Sequence, residues 1–81
     1  MTDERTQANR ATPMERVQAR CGPLLPVGWA LREPALFDGG WALEAHELAD
    51  PNISTSVWDA DLERAIWMLV EGLRKMGPPQ A

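Results

Sequence analysis

The sequence predicts a small α+β domain: a short N-terminal helix, a three-stranded antiparallel sheet containing a β-hairpin, and a long C-terminal helix on one face of the sheet. Three observations lead to this prediction. Residues 59–76 have helical periodicity, the tetrapeptide Gly-Trp-Ala-Leu occurs twice with strand-like alternation, and turn-forming residues separate the two copies. The element order is therefore α-β-β-β-α. We expect one domain over residues 12–76, with disordered tails at 1–11 and 77–81.

The first helix is predicted to begin after a capping box at residues 12–15, Thr-Pro-Met-Glu. Met14, Val17 and Cys21 then follow at i, i+3 and i+7, which gives one apolar face. The Gly-Pro pair at 22–23 ends the helix. A helix of two turns is unstable alone, so we expect it to dock on the rest of the chain. Cys21 is expected to be a small buried side chain.

The two Gly-Trp-Ala-Leu segments, at 28–31 and 40–43, are predicted to form two half-buried strands. The segment between them, 33–40, contains Pro and Asp-Gly-Gly and is predicted to be the connecting turn. One face of this hairpin carries Trp29, Leu31, Trp41 and Leu43. We expect it to pack on the long helix. Residues 53–57 have β-branched side chains at alternate positions and predict a third strand.

The long helix is predicted over residues 59–76, and its apolar side chains form one stripe: Leu62, Ala65, Ile66, Leu69, Leu73 and Met76. Acidic residues at its start and Arg74-Lys75 in its last turn suit the helix dipole. Trp58, just before the helix, is expected to pack back on the first turn as a hydrophobic staple. Trp67 lies roughly 130° from the centre of the stripe, so the predicted sheet would not cover it.

Composition restricts the classes of function. The chain has a net charge of −4 and one cysteine, and no segment resembles a signal peptide or a membrane span, so we expect a cytoplasmic protein. Residues 33–63 contain eight acidic residues and no Lys or Arg. This charge disfavours direct binding to nucleic acid and favours a basic protein partner. A simpler interpretation is that the acids only keep a small domain soluble.

We expect a non-catalytic protein without a metal or cofactor. His46, the one histidine, alternates onto the polar side of its strand together with Glu44. No nucleophile elbow, phosphate-binding loop or calcium loop is present in the sequence. The alternative is an enzyme in which His46 acts as a base.

Six residues are candidates for binding a partner: Trp67, Met68 and Val70 on the long helix, and Glu44, His46 and Glu47 on the second strand. Interfaces favour Trp and Met, so we expect the chain to self-associate through the helix surface that includes Trp67. Alternatively, the N-terminal helix covers Trp67.

The segment 40–48, Gly-Trp-Ala-Leu-Glu-Ala-His-Glu-Leu, and the helix start 61–66, Asp-Leu-Glu-Arg-Ala-Ile, resemble the HicB-like antitoxin family. With the hairpin, the resemblance covers about half of the chain. It departs from the family pattern at 49–52, where Ala-Asp-Pro-Asn replaces Pro-Gly, and in having the N-terminal helix. The resemblance implies a β-β-β-α domain that neutralises a small basic RNA-cleaving toxin and often self-associates.

Two other functions remain open from the residues. One is an acidic, phage-encoded inhibitor or nucleic-acid mimic that binds a host nucleic-acid-binding protein. The other is a structural or assembly subunit that is stable only within a larger complex, since a chain of this length buries a limited core.

Overall fold

The computed structural model of the chain describes residues 11–76. Its elements are helix α1 (Pro13–Cys21), a 3-10 turn (Gly22–Leu24), strands β1 (Trp29–Leu31), β2 (Ala35–Phe37), β3 (Gly40–Glu47) and β4 (Ser54–Asp59), and helix α2 (Leu62–Lys75). The predicted α+β class is confirmed: an N-terminal helix precedes an antiparallel sheet, and the C-terminal helix packs on that sheet. The predicted tails, apart from Ala11, lie outside the described residues.

Strand β3 is the centre of the sheet. It pairs antiparallel with β1 and β2 through its two ends, and with β4 along Trp41–His46. The backbone carbonyl of Glu44 accepts a hydrogen bond from the N–H of Arg32, whereas the N–H of Glu47 donates to the carbonyl of Ile53. These bonds point to opposite edges of β3. Strands β1 and β2 therefore share one edge of β3, and β4 occupies the other.

The sheet has four strands where the sequence predicted three, because Ala35–Phe37 forms β2 within the segment expected to be a turn. Residues 32–34 lie between β1 and β2 and oppose only two residues of β3, 43 and 44, so the edge strand is split by a β-bulge. Pro34 lies at this break, where a residue without an N–H is tolerated. The extra strand is the second half of one interrupted strand. The two predicted strands belong to one antiparallel hairpin, in which Trp29–Leu31 pairs with residues 45–47.

The hairpin closes in two residues, Asp38 and Gly39. Their φ angles are 51° and 76°. Positive φ at both central positions is the requirement of a type I′ turn, whose twist matches that of the flanking strands. The predicted turn chemistry is thus confirmed at these two residues.

Helix α2 supplies most of the core. Five members of its predicted stripe are buried: Leu62, Ala65, Ile66, Leu69 and Leu73. They pack against Leu43 and Ala45 of β3, with Trp29, Leu31 and Trp41 at the margin as the sequence predicted. The helix is shorter than predicted, and Met76 lies beyond its end and is exposed. The helix begins where the carboxylate of Asp59 accepts a hydrogen bond from the N–H of Asp61.

Helix α1 docks on the flank of α2. Its predicted capping box is present: the Thr12 hydroxyl accepts from the Glu15 N–H at 3.1 Å, and the Glu15 carboxylate accepts from the Thr12 N–H at 2.8 Å. Val17 and Cys21 are fully buried against α2. Arg16 and Arg20 both bridge to the carboxylate of Glu63. These pairs are exposed and contribute little stability, so apolar contact holds α1 in place.

The thiol of Cys21 makes folding sensitive to alkaline pH. Burial raises the pKa of Cys21 to about 11, against the opposing effect of the Arg20 charge. The ordinary pKa of a cysteine thiol is 9.0. The folded state retains its proton over the range between these values, so the free energy of unfolding should fall by roughly 2 kcal/mol as the pH rises from 8 to 11. Below pH 8 the stabilisation that comes from the protonated Cys21 thiol is fully present.

Urea unfolding at a series of pH values measures this effect. The chain has no tyrosine and a single lysine, so few other side chains titrate there. Cys21→Ala serves as the control: it should be less stable than the unmodified chain at neutral pH, with most of the alkaline loss removed. An equal loss in that variant would show that another group causes the pH dependence.

Gly72 lies within α2, on the side that faces β4. The nearest atom to an added Cβ would be Thr55 Oγ1 of β4, at 3.7 Å, an ordinary contact. Gly72→Ala should therefore stabilise the protein by about 0.5–1 kcal/mol, through helix propensity and a less flexible unfolded chain. Chemical denaturation measures the change, and a loss of stability would mean that the methyl group is not accommodated.

Candidate functional site

The face of the sheet opposite α2 is not covered by any element within residues 11–76. The register of the strands places alternate side chains there: Ala30, Ala35, Phe37, Ala42, Glu44, His46, Ser54, Ser56 and Trp58. We call this surface the open face. It combines apolar side chains at the end near the hairpin turn with polar side chains at the other end.

Trp58 is held in a defined position on the open face. Its indole N–H donates a hydrogen bond of 2.7 Å to the backbone carbonyl of Phe37. The ring also lies over Gly40: a Cβ at that position would come within 2.6 Å of the ring and of the Asp59 carbonyl. The hydrogen bond and the close packing fix the indole across β2, β3 and β4. Trp58 remains 42% exposed and Phe37 65% exposed, so the two aromatic rings form an apolar surface in contact with solvent.

An open cleft of about 480 Å³ lies beside these rings. Its floor is formed by Ala35 and Ala42, and Phe37 and Trp58 form its apolar side. Three charged side chains also line the cleft, together with Leu43, Ser56 and Val57. Arg32 and Glu44 are bridged at 3.3 Å, and Glu33 adds a second carboxylate. The cleft has the composition of a binding site, with apolar walls and a few polar groups.

The structure places only two of the six predicted partner-binding residues on the open face, Glu44 and His46. Glu47 pairs with Trp29 and lies on the opposite side of the sheet. Nδ1 of His46 is buried and has no hydrogen-bond partner among the described residues, and the ring is only half-buried. His46 lies beside Ser54 and Ala30, in the polar part of the open face.

The predicted helix surface is exposed at Trp67 and Met68, which are 57% and 40% accessible. Helix α1 does not cover Trp67, because its contacts with α2 run along the side of Glu63 and Ile66. The assignment of Val70 to this surface needs correction. Val70 is only 6% exposed and belongs to the core cluster that α1 and α2 share. The two exposed residues of α2 are therefore separated from the open face by the thickness of the domain.

The acids of residues 33–63 are partly neutralised within the fold. Glu44 pairs with Arg32, Glu63 with two arginines of α1, and Asp59 lies 4.0 Å from Arg64. The sequence separates these charges along the chain, but tertiary contacts bring several of them together. The acidic surface is correspondingly weaker than the sequence suggested.

Sequence reasoning missed Phe37 and Trp58 as surface residues. Phe37 lies in the segment predicted to be a turn, because Pro34 and Asp-Gly-Gly obscure a three-residue strand between them. The predicted packing of Trp58 on the first turn of the helix is wrong, because Trp58 belongs to β4 and points to the open face. The alternation of Ser54, Ser56 and Trp58 along one strand was the available signal.

Two further observations describe the chemistry available. Within residues 11–76, no group of three or more His, Cys, Asp or Glu side chains is arranged to hold a metal ion. Neither of the described helices has the length and apolar content to cross a bilayer.

Comparisons with protein-family models, with curated proteins and with solved structures found no match.

The packing of Trp58 on Gly40 gives a direct test of this geometry. Gly40→Ala should destabilise the protein by about 1–3 kcal/mol, because the added methyl overlaps the indole and a backbone carbonyl. We expect a changed near-ultraviolet circular dichroism spectrum, since the indole must leave its position. Gly72→Ala is the matched control, as the same change meets no close neighbour there. If both variants behaved alike, Trp58 would not pack on Gly40 as described.

Proposed function

We propose that this protein is a non-catalytic protein-binding domain of the HicB-like antitoxin type, and that its open face binds a basic segment of the partner. The observation that carries the proposal is the fixed Trp58 indole beside the exposed ring of Phe37, at the edge of the cleft. Most of the energy of a protein interface comes from a few aromatic anchors packed into a desolvated centre. Here the aromatic rings are presented on a sheet, which holds them more rigidly than a loop would.

The proposed binding mode uses both parts of the cleft. An apolar side chain of the partner would contact Phe37 and Trp58 and displace water from their exposed surface. A neighbouring Lys or Arg would reach Glu33, which has no ion pair with the described residues, or share Glu44 with Arg32. Arginine in the partner suits this surface best, because its guanidinium stacks on aromatic rings and binds carboxylates through two hydrogen bonds.

The likeness to HicB antitoxins supports the choice of partner class. Counting β1 and β2 as one interrupted strand, the chain contains a three-stranded meander followed by a helix, in agreement with the β-β-β-α order that the resemblance implies. The proposed partner is accordingly a small basic protein, such as an RNA-cleaving toxin.

The nucleic-acid-mimic alternative has less support. Such a protein needs closely spaced, unneutralised carboxylates that imitate a phosphate backbone. Glu44, Asp59 and Glu63 have cationic neighbours instead. The exposed aromatic rings on the open face are also more typical of a protein interface.

Isothermal titration calorimetry with the product of the adjacent gene tests the proposal, provided that this product is small and basic. Phe37→Ala should weaken binding at least tenfold, because it removes an exposed anchor without disturbing the core. Trp67→Ala is the matched control: it removes another exposed aromatic ring, on the opposite side of the domain, and should leave affinity unchanged.

The opposite result would move the interface to α2. If Trp67→Ala abolished binding and Phe37→Ala did not, the open face would not be the binding surface. Affinity that is independent of salt between 50 and 500 mM would contradict the charged component of the proposal.

A further inference from the structure

We propose that a second copy of this chain pairs with the free edge of β4, so that two sheets join into one continuous antiparallel sheet centred on Ser56. The inference begins with the hydrogen bonds of β4. Ile53 is hydrogen-bonded to Glu47 of β3, and the antiparallel register continues without a bulge to Asp59. Residues 53, 55, 57 and 59 therefore direct their N–H and C=O groups to β3.

The residues between them, 54, 56 and 58, direct their backbone N–H and C=O groups away from β3. The backbone groups of Ser54, Ser56 and Trp58 point out of the sheet, and within residues 11–76 none of them forms a backbone hydrogen bond on that side. Six polar backbone groups are thus presented in a straight row of three residues. An exposed row of this kind is a template for another strand.

The two edges of the sheet differ in how they are protected. The β1–β2 edge is interrupted by the bulge at residues 32–34, with Arg32, Glu33 and Pro34 in sequence. Charges, proline and bulges are the features that prevent strands from adding to an edge. Strand β4 has six continuous residues, no proline and no lysine or arginine. Only this edge is suited to extension.

The sequence of β4 fits a second copy of itself. With a two-fold axis at Ser56, each Ser54 lies opposite Trp58 of the other copy, and Thr55 lies opposite Val57. The indole of Trp58 reaches toward β2, away from this edge, so it does not obstruct the second copy. The β-branched pair lies on the helix side. Asp59 would lie opposite Ile53, so no like charges face each other. Glutamate or aspartate within 54–58 would have made this self-pairing unfavourable, and none is present.

The helix layer supports the same arrangement. Gly72 of α2 lies above Thr55 of β4, and Met68 precedes it by one turn on the same row of the helix. Met68 is 40% exposed on the side of α2 that overhangs the β4 edge. The axis is perpendicular to the sheet, so both helices lie on one side and the second copy approaches Met68. Both open faces lie on the other side, which leaves each cleft accessible.

Cysteine cross-linking in the full chain tests the register. The Cα atoms of an antiparallel hydrogen-bonded pair are about 5.5 Å apart, within the range that a disulfide spans. Ser56→Cys should therefore form a covalent dimer on mild oxidation. Ser54→Cys is the matched control, because its equivalent in the other copy would lie about 13 Å away along the strand. Cys21 is buried, and oxidation of the unmodified chain measures any cross-linking that Cys21 itself contributes.

Sedimentation equilibrium tests the edge itself. We expect the unmodified chain to dimerise in the micromolar range, and Ser56→Pro to raise the dissociation constant at least tenfold. The N–H lost in this variant points out of the sheet, so pairing with β3 is kept and the circular dichroism spectrum should be unchanged.

A chain that stays monomeric at 200 µM would overturn the proposal. Equal cross-linking of the two cysteine variants would also overturn it, and this comparison remains decisive if Ser56→Pro fails to fold. Loss of dimer with Trp67→Ala and not with Ser56→Pro would place self-association on α2 instead. These measurements use one protein only, so they are independent of the test of partner binding.

Discussion

The burial of one face of α2 is the constraint on which the other features of the fold depend. Ile66, Leu69 and Leu73 are completely inaccessible, and burying a side chain of this size contributes roughly 1.5–3 kcal/mol relative to leaving it exposed. The sheet covers this face from below, and α1 covers its flank through Val17 and Cys21. The total stability of a small domain is on the order of 5–15 kcal/mol, so the chain needs both coverings. No described element is left to cover the opposite face of the sheet.

That open face differs from an ordinary solvated sheet surface. Strands with one solvated face commonly alternate apolar and polar side chains, and the Ser54–Ser56 half of β4 follows this rule. The half near the hairpin turn departs from it. Gly40 provides the space for an indole, the Phe37 carbonyl accepts its hydrogen bond, and two aromatic rings remain in contact with water. Exposed apolar surface with a fixed geometry is a property of binding sites, and here it occurs where the core does not require it.

Charged residues that lie far apart in the sequence are paired in the fold. The arginines of the first twenty residues and the acids of residues 33–63 look like two separate regions along the chain. In the fold, Arg16 and Arg20 reach Glu63, and the bulge brings Arg32 to Glu44. The negative charge of the acidic segment is therefore partly neutralised within the fold and smaller than the composition suggests.

The sequence by itself determined the elements whose causes are local. The capping box at Thr12, the apolar period of α2 and the positive-φ turn at Asp38-Gly39 each depend on neighbouring residues, and all were predictable. Tertiary structure decided the features that depend on distant partners. Strand β2 was not evident beside Pro34 because only pairing with β3 defines that strand. The pairing of β4 with β3 turns Trp58 to the open face. Burial of Val70 depends on where α1 docks. The hairpin and the long helix follow from the sequence, whereas the aromatic surface and the free edge of β4 exist only once the strands are paired.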